Sequence, residues 1–185
     1  MFQKAKIIRL KNKRKTKMIC TNFGIQLIHQ GESEKMFDLS GQQFLTGVEG
    51  VKYKAYLDTG GVWTIGRGIT YYEDGTKVKK GDVIDKAREE KLFQKTLNKY
   101  VNAVNELVKS NLNQNQFNAL VSFCYNVGIE AFKKSTLLKK VNANPSDRDI
   151  KNQFMRWIYD NGKQVPGLVN RRKKEADLYF STFKK

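Results

Sequence analysis

The pattern of apolar residues changes at Gly81, and this change limits what the chain can fold into. Between Tyr53 and Val78, short runs typical of strands alternate with turn-forming glycine and aspartate residues. Beyond Gly81, apolar residues recur at helical spacing. The longest such series consists of Phe93, Leu97, Tyr100, Val101, Val104, Leu107 and Val108. We therefore predict an α+β fold, with a small antiparallel sheet lobe and a helical lobe joined by a long helix, and a cleft between the lobes.

Capping residues predict where the first two helices lie. Ser40 and Gln43 have the spacing of a capping box at the start of a short helix. Gly50 would end that helix and leave Glu49 in its last turn. Asp82 is the predicted N-cap of the long helix.

Further along the chain, three more helix starts are predicted. Asn113 with Gln116 begins a helix that Gly128 would end. Ser135 begins a short helix, and a last helix follows Pro166.

The first 38 residues differ from the rest of the chain. Residues 1–17 contain eight lysine and arginine residues and no acidic residue, and no regular apolar period follows up to residue 38. We expect residues 1–38 to be a basic, disordered extension and residues 39–185 to be one catalytic domain. Within that domain, residues 39–81 would form the helix and sheet lobe, and residues 82–185 the helical lobe.

A net charge of +17 in 185 residues predicts a polyanionic partner. Nucleic acid, anionic membrane and the acidic polymers of a bacterial envelope all satisfy that condition, and residues 1–17 could make weak contact with an anionic membrane. The basic stretch and the apolar run after Met18 also have the order of a weak export signal without a clear cleavage site. His29 is the only histidine, which excludes a Ser-His-Asp triad or a histidine metal site in the folded domain.

The candidate catalytic residues are Glu49, Asp58 and Thr64. Asp58 follows Glu49 by nine residues and opens the turn Asp58-Thr59-Gly60-Gly61, and Thr64 lies six residues further on in a strand-like run. An acid that ends a helix, an acid at a turn and a hydroxyl on the returning strand can face one cleft. Two carboxyl groups that face one cleft are the minimum for cleaving a glycosidic bond.

The local surroundings suggest different roles for the two acids. Glu49 follows Val48 at a helix end, where apolar neighbours would favour its protonated form as a general acid. Asp58 lies in a polar turn, where it could activate a water held by Thr64. As a nucleophile, Asp58 would need to lie about 5 Å from Glu49, whereas an inverting water mechanism needs about 6.5–9.5 Å. Each residue also has a structural alternative, as a helix end, a turn former and a strand residue.

The segment from Glu49 to Gly68 closely resembles the active-site segment of the phage-type lysozymes, glycoside hydrolase family 24, which carry Glu, Asp and Thr at this spacing. Two later segments resemble the family's helical lobe: residues 112–128, and Phe154 to Trp157 with residues 162–172. The resemblance implies a lysozyme-like fold and an endolysin that hydrolyses the β-1,4 bond between N-acetylmuramic acid and N-acetylglucosamine in peptidoglycan. It implies Glu49 as the general acid, Asp58 and Thr64 as the residues that activate and position water, and inversion at the anomeric carbon.

The resemblance also implies a monomer without metal or cofactor, with peptidoglycan and not nucleic acid as partner. The protein would stay in the host cytoplasm until a holin-type pore released it, with export by the N-terminal segment as the alternative. One departure is Ile69, where many relatives have His, and we expect a local structural change there without loss of activity. Two rival functions stay open: a lytic transglycosylase on a related fold, and a non-catalytic basic protein that binds envelope or nucleic acid.

Overall fold

A computed structural model describes residues 34–58 and 60–181 in full, and the backbone of residues 16–21 and 24–29. The chain divides into two compact units, residues 1–35 and 36–185. In the first unit, strands β1 (Thr16–Thr21) and β2 (Gly24–His29) pair as an antiparallel hairpin, with Thr16 opposite His29. This hairpin lies within the predicted extension. Disorder was predicted for residues 1–38, of which residues 1–15, 22–23 and 30–33 lie outside the described part of the chain.

The second unit begins with the lobe that contains the sheet. Helix α1 (Leu39–Glu49) precedes strands β3 (Lys52–Leu57) and β4 (Trp63–Gly66), which are antiparallel and place Tyr56 opposite Thr64. The predicted sheet is therefore a two-stranded hairpin, followed by loops that make single bridges. A small apolar core supports it, formed by Ile65, Ile69, Val78, Ile84 and Leu92.

The predicted start of α1 is wrong in its capping residue. Asp38, and not Ser40, is the N-cap, and its Oδ1 accepts a hydrogen bond from the backbone N–H of Gly41 at 2.9 Å. Ser40 lies inside the helix and donates its hydroxyl to the same Oδ1 at 2.9 Å. Although burial acts to raise the pKa of Asp38, the bonds from Gly41, Asn118 and Ser40 lower it. The end of the helix is as predicted, with Glu49 as the last residue and Gly50 as the C-cap at φ 68°.

The helical lobe contains six helices and a short hairpin among the described residues. Their bounds are α2 (Lys86–Leu107), α3 (Gln114–Val127), α4 (Ile129–Lys134), α5 (Thr136–Ala143), α6 (Ile150–Met155), β5 (Tyr159–Asp160), β6 (Lys163–Gln164) and α7 (Pro166–Phe180). Helix α3 is the central element, because ten of its 14 residues are buried. It packs against α1, α2, α4 and α7, so its side chains reach both the core and the cleft.

Two predicted caps in this lobe have different outcomes. Asn113 and Gln116 form the predicted capping box of α3, with both reciprocal bonds present. Asp82 does not cap α2. Its Oδ2 instead accepts from the Tyr72 hydroxyl and the Lys79 backbone N–H, both at 2.9 Å. Asp85 caps α2 by accepting from the N–H of Arg88 at 2.7 Å.

Arg67 joins the two lobes. Its guanidinium is buried and donates to both carboxylate oxygens of Glu89 on α2, at 2.9 and 2.7 Å, and to the Thr46 hydroxyl on α1 at 3.0 Å. The backbone carbonyl of Arg67 accepts the hydroxyl of Tyr125 on α3 at 2.6 Å. The turn after β4 is thereby fixed to α1, α2 and α3 together.

Candidate active site

A cleft of about 500 Å³ lies between the sheet lobe and the helical lobe. Glu49, Asp58 and Thr64 all line it, so the structure brings the three predicted residues together. The remaining lining residues are Lys52, Tyr56, Leu57, Gly68, Thr70, Tyr125 and Asn126. Ile69 is not among them. It lies 2% exposed in the small apolar core, which agrees with a structural role for this departure from the family pattern.

Glu49 is held by a residue that the sequence analysis did not identify. Nη1 of Arg171, on α7, donates to Glu49 Oε1 at 2.6 Å, and the Glu49 side chain is 16% exposed. The predicted apolar surroundings are therefore wrong in part, because a buried guanidinium is the nearest polar partner. The second oxygen, Oε2, faces Gly68: a Cβ atom built on that glycine would lie 3.9 Å from it. Gly68 has a φ of 89°, a conformation that favours glycine.

Asp58 has a structural role as well as a place in the cleft. Its Oδ1 accepts hydrogen bonds from the backbone N–H groups of Gly60 at 2.9 Å and Val62 at 2.8 Å. Its own backbone N–H donates to the Val62 carbonyl at 3.0 Å. These bonds close the turn between β3 and β4 and fix the carboxylate. Within the described residues no hydrogen bond to Oδ2 is present, so this oxygen can bind solvent or substrate.

Thr64 lies on β4 and is 3% exposed. Its hydroxyl donates to the backbone carbonyl of Val62 at 3.0 Å. Because the single hydroxyl proton is used in this bond, the oxygen is left as an acceptor. A water at this position would donate a hydrogen to Thr64.

The tyrosines around the cleft stay neutral donors. Burial, followed by the negative charges of Glu49 and Asp58, raises the pKa of Tyr56. Burial also raises the pKa values of Tyr100 and Tyr125. Lys52 adds a positive charge at the mouth of the cleft, with its Nζ 3.9 Å from the centre of the Tyr56 ring.

The described residues contain neither a metal-binding cluster nor a membrane-spanning helix. Among the described residues, no group of three or more His, Cys, Asp and Glu side chains could hold a metal ion. In the same part of the chain, no helix is long and apolar enough to cross a membrane.

A two-stranded sheet and a helical lobe around a carboxylate-lined cleft define the class of lysozyme-like proteins. The endolysin from Escherichia coli O157:H7 phage FAHEc1 has this fold: it superposes with a TM-score of 0.74 at 34% identity, over 84% of this chain and 100% of that one. The match to the phage lysozyme family covers residues 46–175. This protein belongs to the phage lysozyme family.

Two relatives show how the chain compares in length. The endolysin of Bacillus phage B103 is 38% identical over 144 residues, which are 77% of this chain and 53% of that protein. The chain thus spans about half the length of that relative. The SAR-endolysin of Enterobacteria phage P21 is 36% identical over 143 residues, which are 76% of this chain and 82% of that protein.

Proposed function

We propose that this protein is an endolysin that hydrolyses the β-1,4 bond between N-acetylmuramic acid and N-acetylglucosamine in peptidoglycan and so lyses the host cell. The observation that carries the proposal is the cleft shared by Glu49, Asp58 and Thr64 in a member of the phage lysozyme family. Relatives named as endolysins support the same proposed activity. Peptidoglycan carries carboxylates on its peptides, which suits a protein with a net charge of +17.

In this proposal Glu49 is the general acid. Arg171 holds Oε1, and no hydrogen bond to Oε2 is present within the described residues, so Oε2 is the oxygen that would carry the proton. Its position opposite Gly68 is open to a sugar, because the glycine has no side chain between the carboxyl group and the cleft. The proton would pass to the glycosidic oxygen as the bond to the anomeric carbon breaks.

Asp58 and Thr64 would activate and position the water. Oδ2 of Asp58, which accepts no hydrogen bond from the described residues, can accept one hydrogen of a water molecule. Thr64 Oγ1 can accept the other hydrogen, because its own proton is donated to Val62. A water that donates both hydrogens keeps its lone pairs for the anomeric carbon. Attack from the side opposite to the leaving oxygen inverts the configuration, which is the stereochemical outcome we propose.

The decisive test is the clearing of chloroform-treated Gram-negative cells by wild-type protein, Glu49→Gln and Asp58→Asn. We expect each substitution to lower the rate at least about 100-fold, because general acid–base groups contribute that much or more. Glu106→Gln is the matched control, since Glu106 is an exposed glutamate near the end of α2. If Glu49→Gln cleared cells as fast as the control, the proposed role of Glu49 would be wrong.

Mass spectrometry of the digest separates hydrolysis from the transglycosylase alternative. Hydrolysis leaves reducing N-acetylmuramic acid ends, whereas a transglycosylase leaves anhydromuramic ends without using water. The bonds of Asp58 and Thr64 described above favour hydrolysis, because a reaction without water has no use for two water-binding acceptors. Anhydromuramic ends as the main product would contradict the proposal.

We infer that the protein stays in the host cytoplasm until a holin-type pore releases it to the cell wall. A fusion of residues 1–38 to a reporter that is active only in the periplasm tests this route. Retention of the reporter in the cytoplasm is the expected result. Export would favour the alternative, in which the basic stretch and the apolar run after Met18 act as a signal.

A further inference from the structure

A buried cluster of three charges lies behind Glu49. Its centre is Glu175 on α7, which is 0% exposed. Oε1 of Glu175 accepts from the Ser122 hydroxyl at 2.8 Å and from Arg171 Nε at 3.0 Å. Oε2 lies 3.1 Å from Arg172 Nε. A carboxylate buried to this degree is tolerated only with such partners.

Arg171 connects this cluster to the cleft. The same guanidinium binds Glu175 through Nε, the Ser122 backbone carbonyl through Nη2 at 3.1 Å and Glu49 through Nη1 at 2.6 Å. Because the guanidinium is planar and rigid, two fixed donors determine where the third points. Glu175 and Ser122 therefore determine the position of the group that holds Glu49.

The charges of the cluster do not cancel. With Glu175 ionised, the two arginines contribute two positive charges and Glu175 one negative charge, which leaves one positive charge next to Glu49. Burial raises the pKa of Glu175, and the charges of Arg172 and Arg171 and the hydrogen bond from Ser122 oppose this shift. Burial lowers the pKa of Arg172 to about 10 against the opposing effect of Glu175, so charges in this cluster interact in surroundings that screen them weakly.

We propose that Glu175 is a positioning residue that sets the pH at which Glu49 takes up its proton, by holding Arg171 and by offsetting half of the positive charge of the two arginines. This rests on the proposed function, in which Glu49 must be protonated to act. Without the charge of Glu175, two positive charges would stabilise the Glu49 carboxylate, and the protonated form would appear only at lower pH.

The other groups that face Glu49 do not account for a difference in its protonation between the wild-type protein and the variants. Tyr56 on β3, Tyr100 on α2 and Tyr125 on α3 feel its charge, but burial raises the pKa of each, so all three stay neutral where carboxyl groups titrate. Lys52 and Asp58 line the same cleft. Both residues are unchanged in Glu175→Gln and Arg172→Gln, so their effect on Glu49 is the same in every measurement.

Glu175→Gln is the direct test, because it removes the charge and keeps the shape. We expect the alkaline limb of the pH–activity profile to move to lower pH by about one unit. Glu175→Asp, which keeps the charge, should have its alkaline limb close to the wild-type pH. Ser122→Ala removes an uncharged hydrogen bond from the same cluster and should leave the limb in place. A purely structural role would lower activity at every pH without moving the limb.

Arg172→Gln supplies a test of opposite sign. It removes one positive charge, so the limb should move to higher pH. This variant leaves Glu175 bonded to Ser122 and Arg171, so it changes the charge of the cluster without removing the bonds that hold Arg171. Shifts in the same direction for both variants, no shift in either, or failure of every variant to fold would overturn the proposal.

Carbon-13 NMR titration of the Glu49 carboxyl group, assigned with Glu49→Gln, measures the same proton uptake without catalysis. Opposite shifts of this titration in Glu175→Gln and Arg172→Gln support the inference even if the wild-type protein does not lyse cells. Lysis by the wild-type protein with an unmoved Glu49 titration supports the proposed function and overturns the inference. A failure of the proposed function and a failure of the inference about Glu175 therefore give different results.

Discussion

Helix α1 carries Glu49, and two of its glycines provide a sharp test of how it is packed. Gly41 is buried, and a Cβ atom built on it would lie 2.7 Å from a ring carbon of Phe37 and 2.8 Å from Cγ and Oδ1 of Asn118. Gly47 is exposed on the same helix, with no atom within 4 Å of its Cβ position. Substitution by alanine should therefore have opposite effects at the two positions.

The expected loss of stability in Gly41→Ala follows from the side chains that must move. Ordinary Cβ contacts begin at 3.4 Å, so Phe37 and Asn118 would each have to shift by several tenths of an ångström. Overpacking of this kind costs about 1–3 kcal/mol. Asn118 is fully buried and donates to the N-cap Asp38 at 2.8 Å, and losing that bond adds about 1 kcal/mol. Better helix propensity returns at most about 1 kcal/mol. Gly41→Ala should thus lower the free energy of unfolding by about 1–3 kcal/mol.

Gly47→Ala has the propensity gain without the clash and should raise the free energy of unfolding by about 0.5–1 kcal/mol. Urea unfolding followed by circular dichroism measures both variants on the same scale, and thermal melting should separate their midpoints by roughly 5–10 °C. Equal stabilities for Gly41→Ala and Gly47→Ala would refute the close approach of α1 to Asn118.

Three further predictions concern single side chains. Thr64→Val should lower lytic activity about 10–100-fold, because it removes one hydrogen bond to the proposed water, whereas Thr64→Ser should keep most of it; equal loss in both would contradict this role. Arg67→Met should destabilise the protein by about 3–5 kcal/mol in urea unfolding, because Glu89, 2% exposed, loses its partner; an unchanged midpoint would contradict this. Burial raises the pKa of the Cys124 thiol to about 12, so iodoacetamide should modify it in the Cys20→Ser variant only after unfolding, as mass spectrometry can measure; equal modification of the folded protein would exclude this burial.

Local patterns in the sequence predicted the elements that position the site. The aspartate-glycine turn after β3 forms as its composition suggested, because Asp58 itself closes it with backbone hydrogen bonds. Gly50 ends α1 and Gly128 ends α3, both at positive φ. These outcomes depend on residues close together in the chain, so the pattern contains all that is needed.

Contacts between residues that are far apart in the sequence could not be predicted in this way. Asp38 and Ser40 are both residue types that cap helices. In the fold, Asn118, 80 residues after Asp38, donates to the side chains of both, and this contact is not visible in the local pattern. Arg171 lies 122 residues after Glu49, and no spacing rule connects them. The only signal for it was the pair of arginines in the segment that resembles the family's helical lobe. Helix α4, with six residues between Gly128 and Ser135, was too short to show a period.

The hydrogen bond from Tyr125 to the Arg67 carbonyl has a consequence for the backbone that faces Glu49. Burial raises the pKa of Tyr125, so its hydroxyl remains a donor at physiological pH. The bond lies beside Gly68, which faces both Glu49 and Tyr125, and therefore ties the backbone opposite Glu49 to the buried helix α3. Because α3 also supplies Tyr125 and Asn126 to the cleft, this one hydrogen bond holds residues of both lobes together where they line it.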